Sequence, residues 1–190
     1  MPYFPKLRGE RVYLSPIDID DAPKYTAWLN DLEIARGLTV ASKSIALANE
    51  RDFLKELSKK HVYGIVDAAT DTLIGNCALE SIDQLNQSAE IGIVIGEPDY
   101  LGRGYGTDAM RTLVRYGFDY LNLHNIYLKV FGFNERAVRC YEKVGFRLIG
   151  RQREALLQRG TRWDLIYMDI IPSDLTRSDA APGPSAAPSA

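Results

Sequence analysis

Gly102, Gly104 and Gly106 alternate with Arg103 and Tyr105 in the stretch EIGIVIGEPDYLGRGYGTDAMRTLVRYGF, residues 90–118, where an apolar strand runs into an amphipathic helix. Glycine lets backbone N–H groups approach an anion closely. A helix N-terminus adds unpaired donors and partial positive charge. The chemistry this permits is the cradling of a phosphate or diphosphate. Glu90 opens the preceding strand. Period-2 alternation puts Glu90, Gly92 and Val94 on one face and Ile91, Ile93 and Ile95 on the other. Gly92 has no side chain, so a gap lies beside the carboxylate, with room for a substrate or an ordered water whose proton Glu90 could take. The competing reading of Glu90 is a solvated or ion-paired acid at a strand end. Glu80, sharing a strand face with Asn76 and Ala78, is the rival carboxylate, and a solvated face is the simpler account of it.

Two nucleotide-binding patterns fit the glycine turn poorly. A dinucleotide fold needs a tight turn directly after the strand and an acidic residue about 20 positions on. Here Gly96 to Leu101 intervene, and the following strand ends in Gly132-Phe133-Asn134. A phosphate-binding loop of the nucleotide hydrolases places Lys and Ser or Thr after its last glycine; this chain has Thr107-Asp108.

The segment resembles the acetyl-CoA cradle of the GNAT acyltransferases: Gln or Arg, two residues, Gly, one residue, Gly or Ala. That pattern falls on Leu101, Gly104 and Gly106, with Leu101 departing from the polar first position. Asn134-Glu135-Arg136-Ala137-Val138-Arg139-Cys140-Tyr141-Glu142-Lys143-Val144-Gly145-Phe146 is similar to a second segment of that family. Residues 150–164 and the opening Leu7-Arg8-Gly9-Glu10-Arg11-Val12 resemble the RimJ/RimL-type branch, the ribosomal-protein alanine N-acetyltransferases. The resemblance covers about residues 7–171.

The resemblance implies acetyl transfer from acetyl-CoA to a primary amine, a protein N-terminus or a small molecule, without a metal. Direct attack needs one general base and one general acid and no covalent enzyme intermediate. Glu90 would be the base, directly or through water. Tyr141 reads from its helix as a core aromatic, but the family's tyrosine at this motif position donates a proton to the departing thiolate, and phenol and thiol pKa values lie within about two units. Backbone groups of Val94, Ile95 and Gly96 would hold the pantetheine arm, Arg103, Gly104, Tyr105, Gly106 and Thr107 the pyrophosphate, and Asn134 would complete the cofactor site. Residues 31–44 and 153–162 would wall the acceptor site, with Trp28, Glu33, Arg36, Glu154, Arg159 and Asp164 as candidates. The alternatives are a non-catalytic CoA-sensing module and, less well supported, a nucleotide-binding oxidoreductase.

The elements that must position these groups can be read from periodicity and caps. Strands are expected near residues 11–14, 62–67, 73–82, 90–95, 125–131, 147–151 and 162–171, and helices near 19–30, 46–60, from the glycine turn through 121, and 135–144. Ala109, Met110, Leu113, Val114, Gly117, Phe118 and Leu121 give the cradle helix one apolar face. Asn134 is a favourable N-cap and Gly145 a natural residue past a helix end. Helices interleaved with strands predict an α/β domain of the GNAT type, a mixed, mostly antiparallel sheet flanked by helices. It is expected over residues 1–171, with an Ala/Pro/Ser-rich disordered tail over 172–190.

At 190 residues and 46% hydrophobic content, the chain suits one domain with a substantial core. A net charge of −2 gives a nucleic-acid partner no electrostatic support. No signal-peptide pattern or stretch of 18 apolar residues is present, so a soluble cytoplasmic protein, off the membrane, monomeric or homodimeric, is expected. Cys77 and Cys140 are too few for a disulfide framework, and His61 and His124 are isolated.

Overall fold

The computed structural model describes residues 3–175. A single eight-stranded sheet runs in the order β1-β2-β3-β4-β5-β6-β8-β7. Its strands are β1 (Leu7–Arg8), β2 (Val12–Pro16), β3 (Val62–Asp67), β4 (Thr72–Asp83), β5 (Ser88–Ile95), β6 (Asn125–Phe131), β7 (Arg147–Gln158) and β8 (Thr161–Ile170). The helices are α1 (Ala22–Asn30), α2 (Leu32–Ala35), α3 (Leu47–Leu57), α4 (Tyr105–Leu121) and α5 (Glu135–Val144). All neighbouring strands pair antiparallel except β5 and β6.

Strand alternation sorts the core into two layers. Val12, Leu14, Ile65, Ile74, Ile91, Ile126 and Leu128 pack under α4 and α5 with Met110, Leu113, Val114 and Tyr141. Tyr13, Val62, Val66 and Leu73 face the other way, onto Tyr25 and Trp28 of α1 and Leu54 and Leu57 of α3.

The parallel pair positions the site. β5 and β6 are in register only from Ser88, Ala89 and Glu90 to Asn125, Ile126 and Tyr127. β5 nonetheless runs on to Ile95 and β6 to Phe131. Past Glu90 the two strands part, and the backbone on that side of β5 is left without a strand partner. The cleft so formed ends between the N-termini of α4 and α5.

Four boundaries differ from expectation. The helix expected from Ile19 is a short helical turn over Ile19–Asp21 followed by α1, because the Asp18 side chain ties down the Asp20 amide and Pro23 begins a new first turn. The second helix stops at Leu57 rather than Lys60. β7 reaches Gln158 rather than Arg151, and the reversal expected across 153–162 shrinks to Arg159-Gly160, both at positive φ. Register shifts between Gln152 and Leu156, with Glu154 at φ 53°, break the alternation that would have revealed this strand. Pro172–Leu175, expected in the tail, form a turn: the Asp174 side chain accepts from Ile171 N and pairs with Arg147, and Leu175 packs on the core. The rest of the expected tail lies outside the described residues.

Candidate active site

Gly104 is the N-cap of α4 at φ 91°, a left-handed conformation that glycine adopts without strain, and no side chain caps this helix end. The first turn closes with Asp108 N donating to Gly104 O at 3.0 Å. The amides from Gly102 through Thr107 donate to nothing among the described residues. This row of free donors at a helix N-terminus suits a diphosphate. Space is available: a Cβ at Gly102 would meet no atom within 4 Å, and at Gly104 only Arg11 Nε at 3.9 Å. Tyr105 is buried edge-on against Tyr100, with the Arg11 guanidinium 6.0 Å and the Arg103 guanidinium 5.8 Å from its ring.

Arg11 escaped sequence reasoning, since no spacing connects it with a turn some ninety positions on. The buried Asp108 brings it there by accepting the amides of Glu10, Arg11 and Val12 at 3.1, 2.8 and 3.0 Å.

The floor of the cleft is β5. Gly96 N donates to Ile74 O, and the register continues through Asn76 opposite Val94. In an antiparallel ladder these alternate residues turn both peptide groups to their partner. The peptide groups of Val94 and Gly96, expected to hold the pantetheine arm, are therefore turned toward β4. Those of Ile95, together with Ile93, face the open side. Gly96 has a different duty: a Cβ there would fall 2.1 Å from the Trp28 ring. Trp28, expected at the acceptor wall, is a buried packing residue that locks α1 onto the end of β5.

Glu90 sits at the last paired position before the strands part. Its Oε2 accepts from Lys129 Nζ at 2.9 Å, and this hydrogen bond holds the lysine above its ordinary pKa against an opposing desolvation. A Cβ at Gly92 would meet nothing within 4 Å, so the expected gap beside the carboxylate is present. Glu80 is directly opposite Glu90 in the ladder, which makes the two carboxylates neighbours on one face. Glu80 lines a surface depression with Lys59, Lys60 and His61.

α5 brings Tyr141 under the sheet, buried and edge-on to Phe146. Burial pushes its phenol well above the ordinary tyrosine range, and Cys140 adds to this. Burial thus moves the phenol away from the expected near-match with a thiol. A thiolate forming in the same apolar surroundings would be raised in the same sense, as the buried Cys77 thiol is by desolvation. Thr107 Oγ1 lies 3.3 Å from Cys140 Sγ, joining the first turn of α4 to α5. Asn134 Oδ1 caps α5 by accepting Ala137 N at 3.2 Å, which leaves its amide nitrogen available to a cofactor.

The two expected acceptor walls touch each other. Arg159 pairs with Glu33 at 2.9 Å and Gln158 Nε2 donates to Arg36 O at 3.1 Å, so α2 and the β7–β8 hairpin tip form one strap. Asp164 has a structural duty: its Oδ1 accepts Glu154 N at 3.0 Å.

Comparison with known proteins agrees with this geometry. Residues 11–147 match the family described as Acetyltransferase (GNAT) domain. The chain is 36% identical over 135 residues to a spermidine N(1)-acetyltransferase of Vibrio cholerae, covering 67% of this chain and 78% of that protein. It is 33% identical over 100 residues to a putative ribosomal N-acetyltransferase of Bacillus subtilis, covering 53% and 54%. The crystal structure of the Vibrio cholerae spermidine N-acetyltransferase with CoA and spermine superimposes with a TM-score of 0.76 at 25% identity, covering 86% of this chain and 97% of that one. The chain belongs to the GNAT family of acetyl-CoA-dependent N-acetyltransferases.

Proposed function

We propose that this protein moves an acetyl group from acetyl-CoA to a primary amine, with Glu90 as general base and Tyr141 as general acid. The carrying observation is the run of unpartnered amides at the α4 N-terminus opening onto the parted strands β5 and β6, with Glu90 and the Gly92 gap where they part. The amides from Gly102 to Thr107, with Arg11 and Arg103 beside them, would hold the pyrophosphate, and the Ile93 and Ile95 peptide groups the pantetheine arm. Glu90 would take a proton from the attacking amine, directly or through a water beside Gly92. The amine nitrogen bonds the acetyl carbon as the carbon–sulfur bond breaks, and Tyr141 gives its proton to the departing sulfur. Lys129 Nζ, donating to Glu90 Oε2 at 2.9 Å, would orient the carboxylate. Dependence on acetyl-CoA favours a cytoplasmic location.

The test is calorimetry with acetyl-CoA, 3′-dephospho-CoA, NAD and ATP, followed by incubation with acetyl-CoA and an amine library under mass-spectrometric detection. Acetyl-CoA should bind, more weakly without its 3′-phosphate, and NAD and ATP should not. Absence of acetyl-CoA binding, or tighter NAD binding, would sink the reading.

A further inference from the structure

Three acids of the chain have cation partners: Glu90 has Lys129 at 2.9 Å, Glu33 has Arg159 at 2.9 Å, and Glu97 has Lys24 at 3.0 Å. Arg36 is set against an aromatic ring instead. Arg36, at the end of α2, has no carboxylate partner among the described residues, and its half-buried side chain keeps Nε buried without a hydrogen bond. Its guanidinium lies 5.0 Å from the centre of the Phe133 ring. Phe133 is itself braced by Phe131 at 5.7 Å and Trp163 at 5.4 Å, and the Arg36 carbonyl is fixed by Gln158. A guanidinium held against an aromatic ring keeps its in-plane donors for a planar, two-oxygen partner.

Place and distance tie this cation to the reaction. Gly37 follows it, and a Cβ there would lie 3.1 Å from the Asn134 amide nitrogen, so Arg36 stands over the far end of β6. Tyr127 is in register with Glu90, and Phe131 is four residues further along β6. That is about 13 Å of strand at ~3.3 Å per residue, shortened by the reach of the side chains at both ends.

We propose that the acceptor is a primary amine carrying a carboxylate some six or seven bonds from its nitrogen, that Arg36 is the residue that selects it, and that polyamines are poor acceptors. This rests on the acetyl-transfer reading above. A polyamine would bring a second cation to a guanidinium. An amino acid of this length supplies the missing anion.

Matched probes test it. Release of CoA is followed with ε-aminocaproate, hexamethylenediamine, spermidine and a neutral peptide with a free N-terminus, using the full chain and its Arg36→Gln and Arg36→Lys variants. A hydrogen-bonded charged group contributes about 1.5–3 kcal/mol, so wild type should favour ε-aminocaproate over the diamine by about 10- to 100-fold in kcat/KM. Arg36→Gln should erase that preference through the acceptor KM while acetyl-CoA affinity by calorimetry holds. Arg36→Lys should keep part of it. Preference for the diamine, spermidine or the neutral peptide by the wild type overturns the proposal even if both variants fail to fold. So does an Arg36→Gln variant that loses all acceptors equally. Failure of the underlying reading looks different: no amine is acetylated and acetyl-CoA does not bind, and the two proposals then fall together.

Discussion

The Asp108 carboxylate accepts the Arg11 amide at 2.8 Å, and the same buried group also takes the amides of Glu10 and Val12. An acid in the first turn of α4 is favoured by the helix dipole. Here it also fastens the turn between β1 and β2 to the helix that carries the cradle. Gly9 makes room for it, since a Cβ there would fall 2.5 Å from an Asp108 oxygen.

Asp108→Ala would leave three backbone donors with no acceptor. Only the Val12 bond is buried, and at about 1–3 kcal/mol for a buried unsatisfied group the loss should be of that size, read as a lower urea midpoint. Acetyl-CoA affinity should fall as well, because Arg11 is released from beside Gly104. An unchanged midpoint would show that Asp108 is no strut.

The cradle glycines are not equivalent. Gly104 is at φ 91°, so Gly104→Val strains the turn and puts branched carbons where an anion must approach. Gly106 is an ordinary helical residue whose added Cβ would sit 3.7 Å from Ile93 and 3.8 Å from Cys140, normal contacts. Calorimetry should therefore show acetyl-CoA binding nearly intact in Gly106→Ala and lost or much weaker in Gly104→Val. Equal affinities would move the cofactor elsewhere.

Tyr141→Phe separates chemistry from packing. The hydroxyl makes no hydrogen bond among the described residues, so its removal leaves no buried partner behind, and stability should hold or rise slightly. Loss of a general acid should lower turnover by about 10²- to 10⁴-fold with acetyl-CoA affinity unchanged. Normal turnover would make Tyr141 a core aromatic and nothing more.

Local signals made much of this legible from the chain. Asn134 and Gly145 mark the two ends of α5, and the helix runs between them as read. The gap at Gly92 followed from strand alternation alone. What could not be read was set by register between distant strands. Lys129 meets Glu90 only because β5 and β6 pair at their first residues and then part. Trp28 looked like a wall residue because its partner is a glycine backbone at residue 96, which leaves no trace in a hydrophobic pattern. β7 was cut short by its bulges, and Arg36 is singled out only by having no carboxylate partner among the described residues.

The pairing of Lys129 with Glu90 gives the base assignment a pH signature. If Glu90 takes the amine's proton, Glu90→Gln should depress the rate most at low pH, where little substrate amine is already neutral, and raising the pH should partly restore it. The same substitution at Glu80 should do little to the rate. The lysine adds a check on stability. Its pKa is raised in the folded chain, so the pair's contribution is complete below the ordinary lysine value of about 10.4 and is lost as pH rises through the folded value. Because the lysine is 39% exposed, that contribution should be at most about 1 kcal/mol. The stability gap between wild type and Lys129→Met should be flat through neutral pH and close in strong alkali. A Glu90→Gln profile parallel to wild type, or a larger defect at Glu80, would move the base elsewhere.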